Sequence, residues 1–220
     1  MQSQESALNV AEFLLKIRAV ELKPENPFTW ASGLKSPIYC DNRKTLSYPK
    51  IRTFLRQEFL TTIEANYGKP DVIAGVATGG IALGALIAQA MELPFVYVRS
   101  EAKSHGLGNQ IEGVIEEGQR VVVIEDLIST GGSSLNAVRA LREAKARILG
   151  MVAIFTYGFD NAKDNFKEAK CKLNTLTDYD TLLKQALNSH YITEKQLTAL
   201  KTWRKNPAAW SESFSLSVQE

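Results

Sequence analysis

The chain has 220 residues, of which 45% are hydrophobic and 23% are charged, a size and composition typical of one soluble globular domain with appended segments. A formal net charge of +2 does not indicate nucleic-acid binding, and the two cysteines, Cys40 and Cys171, lack the spacing of a zinc site or a disulfide framework. The polar N-terminal stretch lacks the apolar segment of a signal peptide and no apolar run is long enough to cross a membrane, so we expect a cytoplasmic protein without nucleic-acid or membrane partners.

Two helices and a turn-rich segment are predicted for residues 1–67. Apolar residues recur at helical spacing over residues 6–20 and over residues 49–67, where Pro49 occupies the first turn. Between the helices, residues 28–41 contain a Ser-Gly and a Ser-Pro pair that mark turns around short extended runs. From this spacing alone, a surface hairpin is the ordinary interpretation of the segment.

Two glycine-rich loops each follow a buried strand and precede a helix. Residues 71–76 predict a central strand, and the Ala-Thr-Gly-Gly of residues 77–80 leads from it into an apolar helix over residues 81–91. Residues 121–134 read VVVIEDLISTGGSS, a valine-rich strand over the first four positions, two acids, and small hydroxyl-bearing residues before a helix that ends at Ala144. This alternation of strands and helices predicts a parallel sheet.

The loop after the second of these strands has the chemistry of a phosphate site. Backbone N–H groups at a helix N-terminus attract phosphate, and Gly131 and Gly132 allow the backbone to approach it closely. The acids Glu125 and Asp126 would repel a phosphate, so we assign them to ribose hydroxyls or to a Mg²⁺ ion that the ligand brings. The alternative is a ligand-free turn with an N-cap, which two adjacent carboxylates without a partner make less favourable.

A polar stretch without periodicity, residues 99–110, follows a predicted strand over residues 95–98. A loop of this length inside a compact domain is usually functional or mobile, although a solvated charged loop is the ordinary interpretation of the stretch taken alone. A dinucleotide-binding motif is excluded, because Ile111 stands where the third glycine would follow Gly106 and Gly108.

The remainder of the chain predicts a core strand, an edge strand and two helices. The strands cover residues 148–156 and 170–176, and the helices cover residues 178–187 and 193–203. Thr177 and Thr193 are the predicted N-caps of the two helices. We assign no catalytic residue to this part, and its role stays open.

Residues 121–134 closely resemble the binding signature for phosphoribosyl pyrophosphate (PRPP) of type I phosphoribosyltransferases. The F-T-x-x-S-G-x-x-S-P-x-Y segment from Phe28 to Tyr39 resembles the part of orotate phosphoribosyltransferases that lies over the base, and residues 99–106 match their catalytic loop pattern R-x-x-x-K-x-H-G. The resemblance implies an α/β type I phosphoribosyltransferase fold, with a mostly parallel central sheet flanked by helices. It divides this single domain into an N-terminal hood (residues 1–45), a core (residues 46–160), and a C-terminal strand and helices (residues 161–220).

The resemblance also implies a reaction and a set of site residues. The family transfers the 5-phosphoribosyl group of PRPP to orotate in pyrimidine (UMP) biosynthesis, with Mg²⁺, as a homodimer whose active sites are shared across the interface. The implied catalytic residues are Arg99, Lys103, His105 and Asp126. The implied PRPP-binding residues are Thr78, Gly79, Arg99, Lys103, His105, Glu125, Asp126, Leu127, Ile128, Ser129, Thr130, Gly131, Gly132 and Ser133. The implied orotate-binding residues are Lys35, Tyr39, Cys40 and Ser129, and any Mg²⁺ carried by PRPP is placed near Glu125 and Asp126.

The chain departs from the family pattern at several positions. Ala31 stands where many members have a PRPP-binding lysine, and whether Lys35 replaces that lysine is open. Cys40 stands where some members have an aromatic residue, and no arginine follows Tyr157, where some members place one that binds orotate. Two alternatives remain, a purine phosphoribosyltransferase of salvage and a non-catalytic regulator that senses PRPP. The Ser-Gly and Ser-Pro segment and the intact K-x-H-G loop favour the orotate enzyme over both.

Overall fold

The structure of the chain, a computed structural model, describes residues 3–30, 32–100 and 110–217. Its N-terminal part consists of a helix, two short antiparallel ribbons and a 3₁₀ helix. These elements are α1 (Gln4–Lys16), β1 (Val20–Leu22), β2 (Phe28–Thr29), β3 (Lys35–Ser36), β4 (Ile38–Cys40) and the 3₁₀ helix Asn42–Ser47. β1 pairs with β4 and β2 pairs with β3, so the predicted hairpin segment is divided between two ribbons.

α1 forms where the sequence predicts an amphipathic helix, but it is shorter than predicted. The Ser3 side chain caps its start by accepting a hydrogen bond from the Ser6 N–H at 3.1 Å. Leu14 is buried near its other end, and the chain then leaves the helix because Arg18 takes a left-handed φ of 54°. The predicted extension of this helix to residue 20 is therefore wrong, since Val20 already belongs to β1.

A six-stranded sheet lies at the centre of the molecule. Its strands are β5 (Val72–Val76), β6 (Phe95–Val98), β7 (Ile111–Glu112), β8 (Arg120–Ile128), β9 (Arg147–Thr156) and β10 (Leu173–Asp178). Their spatial order is β10-β9-β8-β5-β6-β7, with β7 antiparallel to β6 and the other neighbouring pairs parallel. The mostly parallel sheet and the edge position of β10 are confirmed.

Helices cover both faces of this sheet. Besides α1, the helices of the chain are α2 (Pro49–Tyr67), α3 (Gly79–Met91), α4 (Gly132–Glu143), α5 (Asp160–Glu168), α6 (Tyr179–Asn188), α7 (Glu194–Lys205) and α8 (Pro207–Ser217). Of these, α8 packs against β3 and α7 and not on the central sheet. The side chains of β8 alternate between the faces. Val122 and Ile124 belong to the core that includes α1, α2, α3, α6 and α7, whereas Val121 and Val123 belong to the core with α4 and α5. Because both faces are covered, the strand is apolar at consecutive positions. In the described ranges, no helix has the length and apolar character needed to cross a bilayer.

The order in which the chain adds strands to the sheet changes side at β5. From β5 the chain passes to β6 on one side, and it later enters β8 on the other side. The segments that leave β5 and β8 therefore diverge at the carboxyl ends of these two strands, which opens a crevice between them.

The C-terminal part contains elements that the sequence analysis did not predict. α5 buries Ala162 and Phe166 and is otherwise polar, and α8 begins at Pro207 after Asn206 accepts a hydrogen bond from the Ala209 N–H at 3.1 Å. Asp178, not Thr177, caps α6 by accepting a hydrogen bond from the Thr181 N–H, so that predicted cap is wrong. Thr193 caps α7 in a capping box, as predicted.

Candidate active site

A cavity of about 310 Å³ lies in the crevice beyond β5 and β8. Both predicted glycine-rich loops and the acidic pair contribute to its wall. The lining residues are Ala77, Thr78, Gly79, Glu125, Asp126, Leu127, Ser129, Thr130, Gly131, Gly132, Ser133 and Ser134. The structure therefore brings together the signature and the second anion loop, which are about 50 residues apart in sequence. We call this space the phosphoribosyl cavity, after the group that the sequence predicts it to bind.

Three glycines let the start of α3 lie directly against the sheet. A Cβ atom at Gly75 would approach the Gly80 carbonyl oxygen to 2.6 Å, and a Cβ atom at Gly80 would collide with the Ile124 carbonyl oxygen. A Cβ atom at Gly79 would collide with the carboxyl group of Asp126. The N-terminus of α3 and the acidic end of β8 are thus in backbone contact, at a distance that only glycine permits.

Glu125 is buried, with 5% of its surface exposed. Its Oε1 accepts a hydrogen bond from the Asp126 N–H at 2.9 Å, and its Oε2 accepts one from the Ser134 hydroxyl at 2.8 Å. Burial raises the pKa of Glu125 to about 8, and the neighbouring charge of Asp126 adds to the increase. Both oxygens of this carboxyl therefore bond within the protein, where they join the end of β8 to the first turn of α4.

Asp126 presents the more accessible carboxylate of the pair. Burial raises its pKa, and its interaction with Glu125 and the positive charge of Arg43 oppose that increase. Asn42, which is 1% exposed, donates from Nδ2 to the Asp126 carbonyl oxygen at 2.6 Å. The 3₁₀ helix, which spans the boundary between the hood and the core, thus fixes the backbone of the acid that we predicted to be catalytic.

The loop after β8 is open where a phosphate would bind. Gly131 takes a φ of 82°, and a Cβ atom there would meet the Phe166 ring at 2.6 Å. A Cβ atom at Gly132 would find no heavy atom nearer than the Thr130 hydroxyl oxygen at 4.0 Å. Glycine at 131 is thus required by the turn and by packing, whereas Gly132 leaves the start of α4 bare to a ligand. β8 itself continues through the acids to Ile128, which is four residues beyond the predicted end of the strand at Ile124.

The hood residues that we predicted to bind orotate are Lys35, Tyr39 and Cys40. Each of them contacts a different neighbour within the hood. The Lys35 Nζ donates to the Thr29 hydroxyl at 2.9 Å, and Tyr39 is 39% exposed with its ring 5.5 Å from that of Phe28. The Cys40 thiol contacts the Asn42 Oδ1 at 3.3 Å, and burial, then the charge of Asp126, raises its pKa. Of the four predicted residues, only Ser129 lines the phosphoribosyl cavity.

Arg99 stands at the base of the predicted catalytic loop. Its N–H donates to the Gln110 carbonyl oxygen at 2.9 Å, and the Gln110 side chain donates to the Arg99 carbonyl oxygen at 3.0 Å. The Arg99 guanidinium lies 3.6 Å from the Glu112 carboxylate and is not part of the cavity wall. Lys103 and His105, the other cations of this loop, lie outside the described residues.

A second cavity, of about 420 Å³, adjoins the first and shares Ser129 and Thr130 with it. Its other walls come from the hood, the end of β9, and the C-terminal helices. The lining residues outside the shared loop are Trp30, Leu34, Gly158, Phe159, Asp160, Asn161, Lys163, Arg204, Lys205 and Pro207. We did not predict Arg204 and Lys205 as site residues. No motif in the sequence marks them, because their position beside the cavity depends on how α7 packs.

Asp126 suits a magnesium ion that arrives with a diphosphate. Within the described ranges, no three or more His, Cys, Asp or Glu side chains cluster as in a protein metal site. Mg²⁺ commonly keeps several waters and takes one or two carboxylates together with substrate phosphates. The carboxylate of Asp126 at the cavity wall fits that mode of binding, which needs no cage of protein ligands.

Comparisons with known proteins agree on one family. Residues 44–181 match the phosphoribosyl transferase domain family. The chain is 58% identical to orotate phosphoribosyltransferase of Listeria innocua over 203 residues, which are 92% of this chain and 97% of that protein. The crystal structure of orotate phosphoribosyltransferase from Aeropyrum pernix is similar with a TM-score of 0.73 and 27% identity, covering 84% of this chain and 99% of that one. Leishmania donovani UMP synthase is similar with a TM-score of 0.77 and 28% identity, covering 92% of this chain and 43% of that one.

Proposed function

The chain belongs to the orotate phosphoribosyltransferase family, and from this premise we propose that it transfers the 5-phosphoribosyl group of PRPP to orotate in UMP biosynthesis. The products are orotidine 5′-monophosphate and pyrophosphate. The observation that carries the proposal is the phosphoribosyl cavity, in which an acidic strand end and two glycine-rich helix starts meet. That combination suits a ribose with a phosphate at one end and a diphosphate at the other.

Each part of PRPP has a matching part of the cavity. We assign the 5′-phosphate to residues 129–133, where the bare Gly132 and the hydroxyls lie at the start of α4. We assign the diphosphate to Thr78 and Gly79 at the start of α3, and the ribose hydroxyls to Asp126 between the two helix starts. Of the two apolar residues that we predicted to bind PRPP, Leu127 lines the cavity, whereas Ile128 is buried in the core with α4 and α5 and does not line it.

The reaction breaks the bond between the anomeric carbon and the diphosphate oxygen and forms a bond from that carbon to a ring nitrogen of orotate. The hydrogen on that nitrogen leaves as a proton, which the departing diphosphate can take up. Positive charge develops on the ribose, and negative charge develops on the departing diphosphate. The Asp126 carboxylate would stabilise the ribose cation, and the partial positive charge of the α3 N-terminus, which lies beside Asp126, would stabilise the departing group. No protein nucleophile is needed in this scheme.

Arg99, Lys103 and His105 are proposed to neutralise the diphosphate when the loop that carries them closes. At the base of this loop, the Arg99 N–H donates to the Gln110 carbonyl oxygen at 2.9 Å. Mg²⁺, held by Asp126 and the diphosphate, would lower the negative charge of the leaving group. These roles come from the family pattern, and Lys103 and His105 lie outside the described residues.

We further propose a cytoplasmic homodimer in which the loop of one subunit completes the active site of the other. The proposal rests on the family, in which this loop crosses a two-fold interface. Mixing Lys103→Ala protein with Asp126→Asn protein under conditions of subunit exchange tests it, because one site of each mixed dimer would be intact. Activity that stays at the level of the separate variants would contradict shared sites.

The activity itself is tested by following loss of orotate with purified protein and PRPP. Adenine, hypoxanthine and xanthine serve as parallel substrates, because a purine phosphoribosyltransferase has the same fold and donor. We expect turnover with orotate alone. Turnover with a purine in place of orotate, or PRPP binding without any turnover, would reject the proposal.

A further inference from the structure

The second cavity is placed to receive the base that accepts the phosphoribosyl group. It shares Ser129 and Thr130 with the phosphoribosyl cavity, so a molecule bound there lies beside the donor. Its walls include Trp30 and Leu34 of the hood. The hood is held to the C-terminal part at this point, because the Lys35 N–H donates to the Ser211 hydroxyl of α8 at 2.8 Å.

Two of the lining residues, Trp30 and Phe159, are aromatic, which makes this cavity suitable for a flat ligand. Trp30 is oriented by a hydrogen bond from its Nε1 to the Ile38 carbonyl oxygen at 3.3 Å. The Phe159 ring stacks on Tyr157 with centroids 5.5 Å apart, and the Trp30 ring lies 5.7 Å from that same tyrosine. A planar heterocycle is thus the class of ligand that these walls favour.

Arg204 brings a fixed positive charge into this cavity. Its Nη1 lies 3.0 Å from the Asp180 Oδ2, and its guanidinium lies 5.7 Å from the centre of the Tyr179 ring. The same Nη1 is 3.4 Å from the position of a Cβ atom at Gly158, a van der Waals distance, so the guanidinium lies beside the chain where it leaves β9. Gly158 has a φ of 68°, a conformation that favours glycine.

The two lysines of the cavity are less suited to recognise a ligand. Lys163 is 67% exposed and pairs with Asp160 at 2.8 Å, and Lys205 is exposed at the end of α7. The Arg204 side chain is only 30% exposed and is held by both a carboxylate and a ring. A planar guanidinium with five N–H donors can pair with Asp180 and still donate to a second carboxylate.

We propose that Arg204, contributed by the C-terminal α7, binds the carboxylate of orotate and thereby selects orotate over uracil. The inference rests on the proposed function and names the residue that sets its base specificity. Orotate is a planar pyrimidine whose carboxylate distinguishes it from uracil, and a guanidinium beside aromatic walls matches both features. The C-terminal helices then supply the orotate-binding arginine that some family members place near Tyr157 and that this chain lacks there.

Comparing two nucleotides isolates the contribution of the orotate carboxylate to binding affinity. Orotidine 5′-monophosphate and uridine 5′-monophosphate differ only by that group, so their dissociation constants are measured by calorimetry for wild type and Arg204→Ala. Loss of one charge-assisted contact should weaken the binding of orotidine 5′-monophosphate by about 10- to 100-fold. Binding of uridine 5′-monophosphate should change by less than about 3-fold, because it makes no such contact.

Further variants separate recognition from folding. Arg204→Lys keeps a charge without the planar fork, so we expect an intermediate loss for orotidine 5′-monophosphate only. Lys201→Ala, an exposed lysine of the same helix, should leave both constants unchanged. The proposed role of Arg204 is overturned if the alanine and lysine variants lose affinity equally for the two nucleotides. It is also overturned if they lose affinity for neither. Wild-type protein that does not turn over orotate overturns the proposed function as well.

Discussion

Replacing Glu125 by glutamine should remove a pH dependence of stability that the buried carboxyl imposes. Because the side chain is 5% exposed and its pKa is raised to about 8, the folded protein keeps a proton on this group at pH 7. The unfolded chain, with an ordinary pKa of about 4.5, has released that proton. Stability from this group is therefore fully present below the unfolded pKa and is lost as the pH rises toward about 8.

The size of the effect follows from the same two pKa values. Between them, each pH unit lowers the unfolding free energy by about 1.4 kcal/mol, so a rise from about pH 5.5 to about pH 7.5 costs about 3 kcal/mol. Glutamine does not titrate, and its amide can accept the Asp126 N–H bond of 2.9 Å and donate to the Ser134 hydroxyl now 2.8 Å away. The variant should fold with the same contacts and without this slope.

Urea unfolding, followed by the fluorescence of the three tryptophans, measures the difference. Wild type and Glu125→Gln are compared across this pH range at fixed ionic strength, so that contributions from groups other than the adjacent Asp126 cancel. Ser134→Ala is the matched control, because it removes one hydrogen bond of 2.8 Å and leaves the carboxyl able to titrate. If the unfolding free energies of wild type and Glu125→Gln depend on pH in the same way, the raised pKa of Glu125 is refuted.

Three further outcomes are expected. Gly79→Ala, whose methyl group would collide with the Asp126 carboxyl, should lower the unfolding free energy by about 1–3 kcal/mol and raise KM for PRPP. Thermal unfolding and steady-state kinetics measure these changes, and wild-type values in both would contradict the close packing of α3. Lys103→Ala should lower kcat by about 100-fold, the scale of a lost transition-state contact, and a rate near wild type would count against the loop assignment. Removing Mg²⁺ with a chelator should abolish turnover until Mg²⁺ is added back, whereas unchanged turnover would reject the proposed metal.

The strands and helices of the core were predictable because their signals are local. Residues 121–124 show a strand buried on both faces, and the acids and glycines that follow show what its end can bind. The two glycine-rich loops could be matched to one ligand because parallel strands end at the same edge of a sheet. What the sequence could not show was how far β8 continues, since Glu125 is polar yet buried through its bond to Ser134.

The walls of the second cavity were not predictable, because they depend on how distant segments pack. Arg204 lies 46 positions after Gly158, and its approach to that glycine depends on the packing of α6 and α7 against the sheet. α5 was missed because it is short and buries only Ala162 and Phe166. α8 did carry a signal, an Asn206-Pro207 pair at its start, which the sequence analysis left unused.

The glycine contacts between α3 and the acidic end of β8 have a consequence for how the donor binds. With hydrogen atoms in place of side chains, Gly75, Gly79 and Gly80 have no rotamers to rearrange. We therefore expect the proposed diphosphate subsite at the start of α3 to be preorganised, so that little conformational entropy is lost there on association. We expect adaptation to the substrates to fall instead to long side chains such as that of Arg204.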